Sequence, residues 1–146
     1  MLELYKIKLL RVGTDQYQAE LRLRDEVLRK PLGMSIYDEL PDENNDHHLG
    51  YFCGTELVGV LLLTEINEVE VKMRQVAVAE AWRGMGIGTR LVKYAEKYAQ
   101  SLGYRRIRLH ARKTAVGFYA KLAYRIIGNE FVEVGLPHYE MVKELT

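Results

Sequence analysis

Cysteine is nearly missing from this chain: among 146 residues only Cys53 occurs. An internal disulfide is excluded, and the composition fits a reducing, cytoplasmic compartment. A lone thiol of this kind is read as a small buried residue rather than a nucleophile. No Cys/His group has metal-ligand spacing, so no metal is expected. No apolar run is long enough for a transmembrane helix. The opening residues MLELYKIKLLRVGTD scatter basic side chains and offer no small-residue cleavage site, which leaves a signal peptide unsupported. Charge of one sign is lacking too. Lys and Arg number 21 against 20 Asp and Glu, a net charge of +1, which removes the global electrostatic case for nucleic acid or an anionic membrane. There is no repeat and no low-complexity tract. What remains, 48% hydrophobic and 28% charged residues, is an ordinary globular composition, and residues 1–146 are expected to form one domain with its own core.

The chain is organised around Val71–Leu102. Val71 to Val78 is rich in β-branched residues, Arg83-Gly84-Met85-Gly86-Ile87-Gly88 follows, and helical spacing begins at Thr89. Ile87, Leu91, Ala95, Tyr98 and Leu102 are predicted to form the buried stripe of that helix. A glycine turn feeding a helix N-terminus presents free N–H groups and the positive end of the helix dipole, so it suits a phosphate. A Walker loop needs Lys-Ser or Lys-Thr after its last glycine, whereas Thr89-Arg90 follows Gly88; G-x-G-x-G is not the dinucleotide pattern either. A plain connecting turn remains the bland alternative. In the strand, Val69, Val71 and Met73 occupy odd positions and Val76 and Val78 even ones. Side-chain parity therefore changes near Gln75, as a β-bulge would make it do, although a strand buried on both faces gives the same pattern.

Elsewhere the sequence predicts a strand over Leu4–Val12 and a helix capped by Thr14 or Asp15 and running to about Leu28. An irregular connection, Lys30–Asn45, contains Pro31, Gly33 and Pro41 and is a candidate substrate lid. Strands are expected over His48–Cys53, Glu56–Glu65, Arg106–Ala111, Tyr124–Ile127 and Tyr139–Leu145, and a short helix over Thr114–Leu122. Consecutive strands that do not alternate with helices argue for an α/β domain with a mixed sheet.

Three motifs carry a resemblance. Arg83, Gly86 and Gly88 realise Arg-x-x-Gly-x-Gly after a strand. Ala115, Phe118, Tyr119 and Lys121 match the pattern N-x-x-A-x-x-F-Y-x-K-x-G-F, with Arg112, Ala123 and Tyr124 replacing its asparagine, glycine and phenylalanine. The ending VGLPHYEMVKEL supplies Pro-His-x-x-Met. Together they resemble the GNAT superfamily of N-acetyltransferases over roughly Val69–Thr146, and the ending is similar to that of its glyphosate N-acetyltransferase-like members. The resemblance implies a six- to seven-stranded mixed sheet flanked by helices and acetyl-CoA as acyl donor. Val76, Ala77 and Val78 would meet the pantetheine arm, and Arg83, Gly84, Met85, Gly86, Ile87, Gly88 and Thr89 the pyrophosphate. His138 would be the base, Tyr119 the acid and the Val76 N–H the oxyanion donor. Arg24, Arg74 and Arg112 would hold an anionic amine substrate, with Arg22 and Arg29 close rivals of Arg24.

Histidine suits the base role because an ordinary amine, with a pKa near 10.4, must lose a proton before it attacks. His47 and His48 are expected to be solvated or at a strand start and His110 to be a hydrogen-bonded structural residue, whereas Gly135-Leu136-Pro137 fixes the direction of His138. Ala123 is expected to ask for a less extreme backbone angle than the family's glycine. Rival readings are peptide or protein N-acetylation, an inactive acyl-CoA-binding module, and nucleic-acid binding through Arg22, Arg24 and Arg29, which the neutral total charge disfavours. Exposed aromatics and edge strands are compatible with a homodimer.

Overall fold

The computed structural model describes residues 4–38, 40 and 42–146. Pro41, assigned above to the connection, lies outside the described residues. Seven strands form one sheet: β1 (Tyr5–Leu10), β2 (His47–Cys53), β3 (Glu56–Glu65), β4 (Glu70–Val78), β5 (Arg106–Arg112), β6 (Arg125–Glu133) and β7 (Leu136–Glu144), in the order β1-β2-β3-β4-β5-β7-β6. Among the described residues only β4 and β5 run parallel, because helix α2 (Ile87–Ser101) crosses between them. The mixed sheet with helices is the architecture expected. Among the described residues no helix is long and apolar enough to cross a membrane.

Helix α1 (Asp15–Arg24) starts where Thr14 Oγ1 accepts the Tyr17 N–H at 3.2 Å. It packs Leu23, with Val27 and Leu28 beyond it, on Val60 and Ala77. The other face of the sheet holds the main core, in which Leu49, Leu61, Val71, Met73, Ile107 and Leu109 meet Ile87, Leu91 and Val92 of α2. Each such side chain contributes roughly 1.5–3 kcal/mol on burial. The buried stripe of α2 is Ile87, Leu91, Val92, Ala95 and Ala99; Tyr98 is half-buried and Leu102, predicted inside, is 47% exposed. The last turn places Ala99 where Leu102 was expected.

The α-helical part of α1 stops at Arg24, and Asp25–Arg29 forms a π-helical turn closed by the Lys30 N–H on the Asp25 carbonyl. Two further corrections concern hinges. Ala123 adopts φ 73°, the left-handed conformation of a helix C′ residue, so it takes the glycine angle in full after α3 (Val116–Lys121). The last strand begins at Leu136, earlier than expected. It is joined to β6 by the two-residue turn Val134-Gly135, with φ 47° and 74°, that sets Glu133 opposite Leu136. Cys53 is half-buried and free.

Candidate active site

The parity change in β4 is a bulge. Val60 opposes Ala77 but Leu62 opposes Arg74, so β4 has one extra residue, and Gln75 takes φ 55°. Pairing of β4 with β5 ends at Met73 and Leu109, while β5 continues against β7 to Arg112 and His138. The two parallel strands therefore part and leave a slot. Ala79 N–H donates to the Val58 carbonyl at 2.8 Å. Strand alternation then turns the peptide groups of Ala77 to β3 and those of Val76 and Val78 to the slot. Ala77 borders the slot without an amide to offer it.

A cavity of about 1070 Å³ occupies this opening. Its wall includes Val76, Ala77 and Val78, the loop residues Arg83, Gly84, Gly86, Ile87, Gly88 and Thr89, and also Tyr119, Arg74, Arg112 and His138. Met85 is not on it; that side chain is exposed, and its carbonyl accepts from Arg90 Nη2 at 2.7 Å. Gly86 caps α2 at φ 79° with no side-chain cap, so the first-turn N–H groups are free for an anion. A Cβ on Gly88 would come within 3.3 Å of the Phe118 ring. Bare backbone with outward N–H groups fits a pyrophosphate.

His138 is 4% exposed. Its Nδ1 lies 2.8 Å from the Leu136 carbonyl; as donor there, it leaves Nε2 with the lone pair of the neutral ring. Tyr119 packs edge-on against Phe118 and Tyr124, and burial pushes its phenol up to about 12. Arg74 donates to Thr64 Oγ1 at 3.1 Å and is one-third exposed.

Arg24 is not on the wall of this cavity; it borders a second one with Arg29 and Arg74. It is 1% exposed, and its two Nη atoms bond Glu20 at 2.8 Å and Glu43 at 2.6 and 3.0 Å. The guanidinium is an internal cross-link whose charge is matched by two carboxylates, so the structure does not bring it together with Arg74 and Arg112 on the main cavity wall. Arg29 borders the cavity instead, its Nη2 3.4 Å from Gln75 Oε1. Burial, together with the neighbouring charges of Arg24 and Arg112, holds its guanidinium below the usual arginine value. His48 is likewise buried rather than solvated, with Nδ1 on Glu20 and Nε2 on the Glu43 carbonyl. The potential ligand atoms of Glu20, Glu43 and His48 lie within 4.8 Å of one another, but Arg24 already bonds both carboxylates. His110 is hydrogen-bonded as expected, to Glu133 at 2.9 Å. Glu133, on the same cavity wall, escaped the sequence reading; its only signal there is its place beside the Val134-Gly135 turn.

A bulged strand splayed from its parallel neighbour, over a helix opened by glycines, defines an acyl-CoA-type transferase slot. Residues 18–145 match the family described as acetyltransferase (GNAT) domain, and the chain belongs to that family. YjcF of Bacillus subtilis, an uncharacterized N-acetyltransferase, is 29% identical over 132 residues, 89% of this chain and 94% of that protein. A solved Lactobacillus plantarum structure of a candidate N-acetyltransferase superposes with TM-score 0.88 at 24% identity, covering 97% and 99% of the two chains. A GNAT family acetyltransferase from Elizabethkingia anophelis with acetyl-CoA bound gives TM-score 0.73 at 20% identity over 98% and 99%. At such identities the two structures speak for the fold.

Proposed function

We propose that the protein transfers the acetyl group of acetyl-CoA directly to the amine of a small anionic metabolite. The observation that carries this reading is that one cavity is bordered by the glycine loop, the open edge of β4, His138 and the three guanidiniums of Arg29, Arg74 and Arg112. Arg74 lies 3.5 Å from Asp46 Oδ2, but one carboxylate does not match three guanidiniums, and paired guanidiniums suit a carboxylate or phosphonate. Together with the Pro137-His138-x-x-Met141 ending, they favour kinship with the glyphosate N-acetyltransferase-like enzymes. A reducing cytoplasm suits the free Cys53.

In the reaction, the first-turn amides of α2 and Arg83 hold the pyrophosphate, and Val78 pairs with the pantetheine arm. The amine lone pair forms the C–N bond as His138 Nε2 takes the amine proton, and the Val76 N–H faces the oxyanion. The C–S bond then breaks, and its electron pair leaves on sulfur. A phenol near 12 lies about 3.5 units above an ordinary thiol, roughly 5 kcal/mol against full proton transfer. Tyr119 therefore stabilises the thiolate by donating a hydrogen bond, and solvent completes the thiol.

The test is thiol release from acetyl-CoA against amines, amino acids, aminophosphonates and peptides, with His138→Ala, Arg74→Ala and Arg112→Ala. Turnover confined to anionic small amines, lost in the arginine variants and reduced about 100-fold or more at pH 7 in His138→Ala, is expected. Turnover on peptides alone would overturn the acceptor class, and equal activity of His138→Ala across pH 6 to 9 would remove the base.

A further inference from the structure

Glu133 divides its carboxylate between two histidines. Oε1 lies 2.9 Å from His110 Nδ1, and Oε2 lies 3.7 Å from His138 Nε2. The second separation is too long for a hydrogen bond but short for an ion pair. Both partners are held rigidly. The Val134-Gly135 turn fixes Glu133 against Leu136, and the His138 ring stacks on Phe131, 5.9 Å between centroids. His110 is braced from its other side by Glu140, 3.5 Å from Nε2, and Lys72 Nζ lies 3.4 Å from its Nδ1. Burial alone would push the Glu133 carboxyl up. The hydrogen bond from His110 and the charges of His110, His138 and Lys72 outweigh it and hold the group below the usual carboxylate range.

The base works in a difficult setting. His138 is almost fully enclosed, and its register partner in β5 is Arg112. Of the other titratable groups on this cavity wall, Lys72 comes from β4, His110 from β5 and neutral Tyr119 from α3, and Glu140 of β7 faces His110. Uptake of a proton at Nε2 adds a cation to a wall that already carries Arg29, Arg74 and Arg112. Among the described residues Glu133 is the carboxylate recorded against Nε2.

We propose that Glu133, braced by His110, is a positioning residue for His138, holding the imidazolium that forms when Nε2 takes the proton of the attacking amine. The inference rests on His138 being the base. The carboxylate itself stays ionised and passes no proton.

The experiment follows the His138 imidazole by NMR titration of the full chain, assigned with His138→Gln, in the wild type, Glu133→Gln and Glu133→Asp. The acid limb of kcat/KM is measured in parallel, by thiol release from acetyl-CoA with the best acceptor of the amine panel. In Glu133→Gln both the titration midpoint and the acid limb are expected to move down by about one pH unit, with kcat at pH 7 reduced and Glu133→Asp restoring part of each. A midpoint unmoved in Glu133→Gln, with His138→Gln inactive, would overturn the role of Glu133 alone. Full turnover in His138→Gln would overturn the base itself and the inference with it. Titration of the folded protein needs no acceptor, so loss of activity through misfolding cannot imitate the result.

Discussion

At the scale of single residues, Arg24 and Arg29 separate: Arg29 lines the main cavity and Arg24 does not. Both are basic positions late in the first helical segment, and a regular helix gives no reason to prefer either. The chain changes pitch at Asp25, where a π-helical turn inserts an extra residue and swings Arg29 onto the cavity wall while Arg24 stays inside. That insertion leaves no mark on hydrophobic periodicity, so the place of Arg29 on the cavity wall was not legible. The placing of His138 and Tyr119 on that wall was, because Gly135-Leu136-Pro137 and the Phe118-Tyr119 pair are local signals. The two arginines should respond oppositely to alanine. Arg29→Ala is expected to raise the acceptor KM at least tenfold with the melting temperature unchanged. Arg24→Ala leaves Glu20 and Glu43 as buried carboxylates without their cation and should cost about 3–5 kcal/mol in urea unfolding. A KM effect confined to Arg24→Ala would reverse the assignment.

Among elements, the bulge of β4 was readable because strand parity has period two and one extra residue must invert it. The length of β6 was not: Gly128 sits at φ 77° where its register against β7 shifts between Ile127 and Phe131, and the alternation that would extend the strand is broken there. Nor was the turn Val134-Gly135, since a β-branched residue at φ 47° is a poor turn former. Ala123, at φ 73°, shows the same conflict between residue and backbone at the end of α3. A Cβ in the left-handed region costs about 1–2 kcal/mol, partly offset by the greater unfolded-state entropy of glycine. Ala123→Gly is therefore expected to stabilise the chain by about 0.5–1 kcal/mol, read as a melting point some 2–4 °C higher by calorimetry. A lower melting point would mean that the left-handed angle is relieved elsewhere. The exposed turn gives a parallel case, with Val134→Asn expected to raise the melting point by a similar amount.

For the molecule as a whole, the order of strands and helices followed from turn residues and periodicity, whereas the tie between the Lys30–Asn45 connection and the sheet did not. That connection is fastened at two points. Ile36 N–H donates to the buried Asp25 carboxylate at 2.8 Å, and Glu43 accepts from Arg24 and, at 2.9 Å, from the Tyr17 hydroxyl. Long-range polar pairing has no periodicity, which is why the partners of this loop were not legible. The cluster makes stability depend on pH. Both ring nitrogens of His48 face oxygen acceptors, and these bonds outweigh burial and raise it above the ordinary histidine value. Hydrogen bonds from Arg24 and Tyr17 similarly outweigh burial to lower Glu43. Glu20, Glu43, Arg24 and charged His48 then sum to zero. The contribution of His48 is present in full below about pH 6.5 and is lost as pH rises through its raised folded-state value. That of Glu43 is present above about pH 4.3 and is lost as pH falls through its lowered one. Thermal melts between pH 5 and 9 should show a wild-type melting temperature that declines on the alkaline side. His48→Gln should melt lower at pH 6 and lose that part of the slope. An equal alkaline slope in the two proteins would mean that His48 is neutral in the fold. The connection would then be held by Arg24, Tyr17 and the Ile36–Asp25 hydrogen bond without a titrating histidine, and the π-helical turn that presents Arg29 would keep its anchorage at every pH in that range.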